Sequence, residues 1–145
     1  PKNHNEKLYQ ITNSPAWNKL FKLDFIKSYG IKFQSISSSN DIFFTRTALA
    51  KASFIGTINE PLYLYCNDSY GAISRNRGEN SMNIRTVEKG LRHFLSEHGL
   101  WDLYKKTMMQ SLASNYRHEF RYSKKLSYKI LLFASYLRLK YLRPV

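Results

Sequence analysis

The sequence contains no pair of cysteines, no signal-peptide pattern and no long apolar run. Its single cysteine, Cys66, cannot form an intrachain disulfide, which favours a reducing compartment. The longest apolar run covers residues 130–137, well short of the roughly 20 residues that a helix needs to cross a bilayer. The opening stretch, PKNHNEKLYQ, is polar rather than signal-like. We therefore expect a cytoplasmic protein.

Acidic residues are scarce. The chain has 10 Asp and Glu against 23 Lys and Arg, a net charge of +13 at pH 7. Such an excess favours an anionic partner, namely nucleic acid, a phosphorylated ligand or acidic lipid, or it serves solubility alone. The length of 145 residues fits one domain with a core, and the aromatic content of 15% includes 11 tyrosines. Tyrosine suits surfaces that are partly apolar and partly wet, such as clefts and interfaces.

Familiar catalytic motifs are also missing. The sequence has no GxGxxG, P-loop, HExxH or CxxC. His93 and His98 lie five positions apart on a predicted helix, which does not place them on one face, so no metal site is expected from the histidines. None of the four aspartates forms an Asp-x-Asp pair.

Hydrophobic periodicity predicts about five helices with a little sheet. Ser14, Pro15 and Gly30 are suited to start and stop a first helix. Residues 31–36 alternate as a short strand, and residues 54–67 form two short strands around the turn at Asn59-Glu60-Pro61. The predicted helices cover residues 13–30, 40–53, 83–100, 100–120 and 123–143.

Asp41 lies where a serine-rich loop meets the apolar second helix. A carboxylate at a helix N-terminus interacts favourably with free backbone amides, and as a cap it contributes about 1 kcal/mol. The same carboxylate is ionised at neutral pH and could accept a proton from a hydroxyl held close to it. The position alone favours the cap, and the catalytic base is the alternative.

The loop SRNRGEN carries Arg75 and Arg77 in a flexible, glycine-containing stretch. Arginine is suited to bidentate phosphate contacts. Alternate arginines in a loop are more often solvated than functional, so phosphate binding is the less favoured of the two interpretations.

The last predicted helix is amphipathic and basic. A helix of this kind either packs on its own domain or lies in a membrane interface. Because no acidic residue follows Arg121, attachment to the inner face of the cell membrane is the second expectation. The apolar stripe is formed by Leu126, Ile130, Phe133 or Ala134, Leu137 and Tyr141, surrounded by Lys125, Lys129, Arg138, Lys140 and Arg143.

Four segments, taken in their order along the chain, resemble those of a known family. They are Trp17-Asn18-Lys19-Leu20-Phe21, Ile31 to Phe33 as I-x-F, Asn40-Asp41, and Ile58 to Tyr65 as I-x-x-P-L-Y-x-Y. This set resembles the C-terminal half of family 2 glycosyltransferases, the inverting GT-A enzymes of bacterial polysaccharide synthesis. The resemblance covers residues 14–80, and the order of the segments is more specific than any one of them.

The resemblance implies a fold, a reaction and a set of site residues. The fold would be α+β: the helix-rich C-terminal part of a GT-A (nucleotide-diphospho-sugar transferase) fold with a few short strands. Residues 1–80 would be the acceptor-side part of the catalytic domain, and 81–145 a helical extension. Asp41 would be the general base that deprotonates the acceptor hydroxyl. Trp17, Lys19 and Asn40 would line the acceptor side, and Arg75 and Arg77 would lie near the leaving diphosphate.

The donor-binding half that the resemblance implies is not in this sequence. The family's nucleotide-sugar site has a βαβ region and an Asp-x-Asp motif that holds Mg²⁺ or Mn²⁺, and neither pattern occurs here. We therefore expect a fragment, opening at Pro1, that transfers no sugar by itself and whose exposed junction favours self-association. The intact enzyme would use a nucleotide-sugar donor and a saccharide or lipid-linked acceptor.

A different class of function fits the charge. The alternative is a non-catalytic basic module that binds nucleic acid or an anionic membrane surface. No RNP-like run and no helix-turn-helix pattern supports the nucleic-acid version.

Overall fold

The computed structural model describes residues 6–66 and 77–141; of Arg77, only the backbone is described. Within these ranges the chain forms seven helices and no β-strand. The helices are α1 (Leu8–Ile11), α2 (Leu23–Ser28), α3 (Asn40–Lys51), α4 (Arg77–Asn80), α5 (Asn83–Glu97), α6 (Trp101–Tyr122) and α7 (Leu126–Tyr141). The described part of the chain is therefore all-helical, and the predicted α+β fold of the GT-A type is wrong.

The two regions predicted as strands are irregular chain. In the first, Ile31 donates its N–H to the carbonyl of Ile26, and Ile36 donates to the carbonyl of Gln34. Residues 53–66 carry exposed side chains throughout and belong to no ladder. Alternation and β-branched residues indicate an extended backbone, but a strand also needs a neighbour to complete its hydrogen bonds, and an isolated hairpin is only marginally stable.

The first predicted helix is wrong over its first half. Residues 12–22 are irregular, and helix begins only at Leu23, so Ser14 and Pro15 do not start it. The predicted stop at Gly30 is confirmed. Gly30 has a φ of +59°, and the N–H groups of Gly30 and Ile31 bond to the carbonyls of Lys27 and Ile26. This is the Schellman arrangement, which needs a residue that tolerates the left-handed region.

The main core is built by α5, α6 and α7, with α1 and α3 packed against them. Each helix contributes apolar residues at spacings of three, four or seven, which place them on one face. This core includes residues from both sides of position 80, and the predicted division there stays a prediction. The largest fully buried members are Ile84, Val87, Leu91 and Leu95 of α5, Tyr104, Met108, Leu112 and Tyr116 of α6, and Leu132 of α7.

Helix α3 is buried on two sides. Ile42 and Leu49 contact the main core, whereas Phe44 and Ala48 form a second cluster with the buried Ile31. Partly buried side chains from residues 16–26 complete that cluster. The second cluster therefore holds the irregular segment of residues 12–22 beside the start of α3.

Helix α7 lies within the predicted range of 123–143 but begins three residues later, at Leu126. The face that it turns to the core is not the predicted apolar stripe. Its buried residues are Leu132 and Leu139, which are seven positions apart and so lie on one face. The predicted stripe is mostly exposed, including Leu126, Ile130 and Phe133. Packing of that stripe on its own domain, the first of the two alternatives from the sequence, is therefore wrong.

Candidate functional site

Lys19 is the centre of a local hydrogen-bond network in the irregular segment. Its ammonium group donates to Asn13 Oδ1 at 2.7 Å, Asn18 Oδ1 at 2.7 Å and the carbonyl of Pro15 at 2.8 Å. An ammonium has three protons to donate, so these contacts match its capacity. These bonds join Lys19 to Asn13, Pro15 and Asn18 and so constrain the backbone of residues 13–19, which includes Trp17.

The charge of Lys19 is coupled to two residues of α3. Desolvation by burial lowers the pKa of Lys19, the nearby Arg46 guanidinium lowers it further, and the Asp41 carboxylate raises it. Lys19 and Asp41 are 22 positions apart in the sequence but close enough in space to affect one another electrostatically. This effect on the pKa of Lys19 is the relation that the structure gives between these two predicted site residues.

Trp17 stacks on two tyrosines of the extended segment. Its ring centroid lies 4.9 Å from that of Tyr63 and 5.0 Å from that of Tyr65, at interplanar angles of 25° and 12°. Alternate residues of an extended chain point to the same side, which explains why both tyrosines reach one indole. The three side chains are 44%, 56% and 49% exposed. We call this trio the aromatic platform; it is open to solvent.

Asp41 lies in the first turn of α3 and is partly buried. The residue at the N-cap position is Ser39, which has a φ of +63° and whose side chain makes no capping hydrogen bond. Asn40 is the first helical residue and Asp41 the second, so the prediction that Asp41 is the cap is wrong. The negative charge of Asp41 in the first turn of α3 interacts favourably with the helix dipole and stabilises the helix. This stabilising effect is compatible with a catalytic role for the same carboxylate.

Arg46 is a buried cation that the sequence analysis missed. It is 5% exposed, and its guanidinium donates to the carbonyl and hydroxyl oxygens of Thr12 at 3.1 and 3.0 Å and to Ser111 Oγ at 3.1 Å. It also lies 5.0 Å from the ring centroid of Tyr9. The acceptors named here are neutral, and the positive charge of Arg46 contributes to lowering the pKa of Lys19. The only sequence signal was a single arginine inside an otherwise apolar run.

The remaining predicted site residues are not brought to this place by the described structure. Arg75 lies outside the described residues, and for Arg77 only its backbone at the start of α4 is described. Their proposed contact with a diphosphate therefore stays a prediction. Two cavities between α6 and α7 are lined by other residues, among them Arg117, Phe120 and Tyr136.

A second polar cluster, also missed from the sequence, joins the three long helices. Glu88 of α5 is buried and accepts hydrogen bonds from Tyr116 of α6 at 2.7 Å and from Arg138 of α7 at 2.7 and 2.9 Å. Arg92 adds a bond of 2.8 Å from the next turn of α5. Burial, together with the bond to Glu88, raises the pKa of Tyr116. With its oxygens satisfied by protein groups, Glu88 has a structural role.

Two further observations concern metal-ligand clusters and membrane-spanning helices. Among residues 6–66 and 77–141, no three His, Cys, Asp or Glu side chains come together as a metal site would require. In the same ranges, no helix is both long enough and apolar enough to cross a membrane.

Comparison with known proteins gives no family for this chain. No protein family, no curated protein and no solved structure matches it.

Proposed function

We propose that this chain supplies the acceptor-binding side of an inverting glycosyl-transfer site in which Asp41 is the general base. Two observations on separate parts of the sequence motif support the proposal. Trp17 stacks on Tyr63 and Tyr65, and Lys19, two residues further on, is electrostatically coupled to Asp41. The proposal concerns these residues and their chemistry; it makes no use of a GT-A sheet.

The aromatic platform suits a sugar. One face of a pyranose ring is lined by C–H groups and packs on an aromatic ring, while its hydroxyls stay in water or bond to polar groups. Tyrosine and tryptophan combine an apolar face with a polar tip, as such a ligand requires. About half of the surface of each platform residue remains exposed, so a saccharide could reach it without a change in fold.

Asp41 has a chemical role that fits the platform. A carboxylate that is ionised at neutral pH accepts a proton from an alcohol held at about 2.6–3.2 Å, and such base catalysis contributes roughly 10²–10⁴-fold. As the acceptor hydroxyl loses its proton to the carboxylate, its oxygen attacks the anomeric carbon of the donor sugar. The diphosphate leaves from the opposite face, so the configuration at that carbon is inverted. Lys19, held by three oxygens, keeps the loop fixed and places a positive charge near the carboxylate.

The donor side lies outside these residues. The described carboxylates and histidines do not form the cluster that Mg²⁺ or Mn²⁺ would need, so no step of this proposal runs through a metal. The nucleotide-sugar and its metal ion would bind to another part of the enzyme, with Arg75 and Arg77 of this chain near the leaving diphosphate.

Acceptor binding can be tested with this chain alone. We expect it to bind a subset of bacterial oligosaccharides on a glycan array, with affinities then measured by calorimetry. Trp17→Ala should weaken binding at least about tenfold because a stacking surface is lost, whereas Asp41→Asn should leave affinity nearly unchanged because the base acts only in the transition state.

Phe54→Ala is the matched control, since Phe54 is an exposed aromatic outside the platform. The acceptor role is wrong if no glycan binds, or if Trp17→Ala binds as tightly as the wild type.

A further inference from the structure

Helix α7 presents an apolar face to solvent. Leu126 and Ile130 are 74% and 61% exposed, and Phe133 and Tyr141 on the same side are about half exposed or more. These residues recur at spacings of three, four and eight, so they form a continuous stripe. The helix packs on α6 through the opposite side, where Leu132 and Leu139 are buried. An apolar stripe of this extent is expected to be covered by a partner.

The charged residues of α7 itself and of the chain on either side of it have one sign, and one of them, Arg138, is paired with Glu88 of α5. Residues 121–145 include seven Lys and Arg and no Asp or Glu. Lys129 lies 5.6 Å from the ring centroid of Phe120, and Lys140 lies 5.0 Å from that of Tyr141. These contacts hold both ammonium groups along the edge of the stripe.

A groove between α6 and α7 continues the same surface. One cavity of about 230 Å³ is lined by Arg117, Phe120, Arg121, Phe133 and Tyr136, and a neighbouring one adds Lys140. Phe133 belongs both to this groove and to the exposed stripe. Guanidinium groups therefore stand directly beside an apolar surface, an arrangement that suits a phosphate with a hydrocarbon chain attached.

We propose that α7 and the α6–α7 groove dock on an anionic lipid bilayer. The helix would lie in the plane of the interface with Leu126, Ile130 and Phe133 among the acyl chains. Arg117, Arg121 and the lysines would contact lipid phosphates. Helices that lie in an interface combine an apolar face with basic flanks in this way. The inference does not depend on the glycosyltransferase proposal, because it uses none of the same residues.

Two other occupants fit the surface less well. A second copy of this chain would bring like charges together around the stripe, which opposes a symmetric contact. A nucleic acid would satisfy the cations but would leave the stripe in water. A bilayer with acidic headgroups is complementary to both the charge and the apolar surface.

Vesicle co-sedimentation tests this proposal directly. The chain should pellet with phosphatidylcholine vesicles that contain phosphatidylglycerol and much less with phosphatidylcholine alone, and added salt should weaken the binding. No pelleting with the anionic vesicles at low salt, or equal recovery with both compositions, overturns it.

Two pairs of variants separate insertion from simple electrostatic adsorption. Leu126→Ser/Ile130→Ser should weaken binding at least about tenfold. Its matched control is Ile58→Ser/Leu62→Ser, because those two residues are 64% and 67% exposed elsewhere on the surface. Lys129→Gln/Lys140→Gln should weaken binding roughly 25-fold, about fivefold for each cation, with Lys22→Gln/Lys27→Gln as the control of equal charge.

The depth of α7 can be read with a fluorophore. A polarity-sensitive dye on Ile130→Cys, in a Cys66→Ser background, should shift to the blue on anionic vesicles, whereas the same dye on Ile58→Cys should not. Unchanged emission at position 130, or a Leu126→Ser/Ile130→Ser variant that binds like the wild type, overturns insertion. If this variant instead converts a lipid-free dimer to a monomer and vesicle binding persists, the face joins two copies and the proposal is wrong.

Discussion

The ring of Trp17 is nearly parallel to that of Tyr65, at 12°, with the centroids 5.0 Å apart. The two residues belong to segments that the chain separates by the whole of α2 and α3. Their contact ties the irregular residues 12–22 to the exposed residues 53–66. Neither segment has a regular hydrogen-bonded structure, so side-chain contacts of this kind decide where both of them lie.

Asp41→Asn should abolish sugar transfer in an enzyme that joins this chain to its donor-binding part. Asparagine keeps the size of the side chain but cannot take up the proton, so we expect the rate of transfer to fall by roughly 10²–10⁴-fold. A radiochemical transfer assay with nucleotide-sugar measures it. Asp24→Asn, an exposed carboxylate of α2, is the control, and near-normal transfer by the Asp41 variant would rule out the catalytic assignment.

The pKa of Lys19 should move in opposite directions in two variants. Arg46→Met removes a cation that lowers this pKa, so the pKa should rise; Asp41→Asn removes an anion that raises it, so the pKa should fall. The measurement is a pH titration of the lysine side-chain signals by NMR. Arg92→Met, on α5 beside Trp101, should change nothing. A pKa of Lys19 that is the same in all three variants would contradict the proximity of these residues.

Stability should decline in alkaline solution because of two buried tyrosines. Burial raises the pKa of Tyr9 and of Tyr116 well above the ordinary value of 10.0. Above about pH 10 the unfolded chain loses these protons while the folded chain keeps them, so the free energy of unfolding falls as pH rises. Below that pH the contribution is fully present.

Tyr9→Phe/Tyr116→Phe should flatten this alkaline decline, by up to about 1.4 kcal/mol per pH unit for each phenol removed. Urea denaturation from pH 9 to 11.5 is the measurement. Leu112→Val, which weakens the core without removing a phenol, should keep the slope of the wild type. An unaltered slope in the double variant would refute the assignment.

Glu88→Gln should destabilise the fold. The substitution leaves Arg92 and Arg138 without the carboxylate that pairs with them and takes away the charged acceptor of Tyr116. We expect a loss of about 2–3 kcal/mol in the free energy of unfolding by urea. Glu97→Gln removes an exposed carboxylate from the same helix and should cost less than about 0.5 kcal/mol. Equal stabilities for the two variants would count against a structural role for Glu88.

The long amphipathic elements could be predicted from the sequence, and the irregular ones could not. Apolar residues at helical spacing gave α3, α5, α6 and α7 with small errors, and Gly30 gave the end of α2. Residues 13–22 also have helical spacing, but Lys19 and Asn13 form side-chain bonds there that compete with helix. This competition between side-chain hydrogen bonds and helix formation leaves no periodic pattern in the sequence, so it could not be predicted.

The candidate site was predicted in part. Trp17, Lys19 and Asp41 were named from the sequence, whereas Arg46 was not, because a charged residue in an apolar helix is expected at the surface. For α7 the periodicity located the apolar stripe, but its direction depends on where α6 lies. A sequence pattern identifies a face and does not say what covers it.

The carboxylate of Glu88 has partners on two helices besides its own, and Arg138 is 50 positions away along the chain. A half-assembled bundle would leave this charge dehydrated and incompletely matched, which makes partly open forms costly. The backbone amides of α5, α6 and α7 should therefore exchange with deuterium as one cooperative unit. Helix α2, which has no fully buried side chain, should exchange earlier and independently.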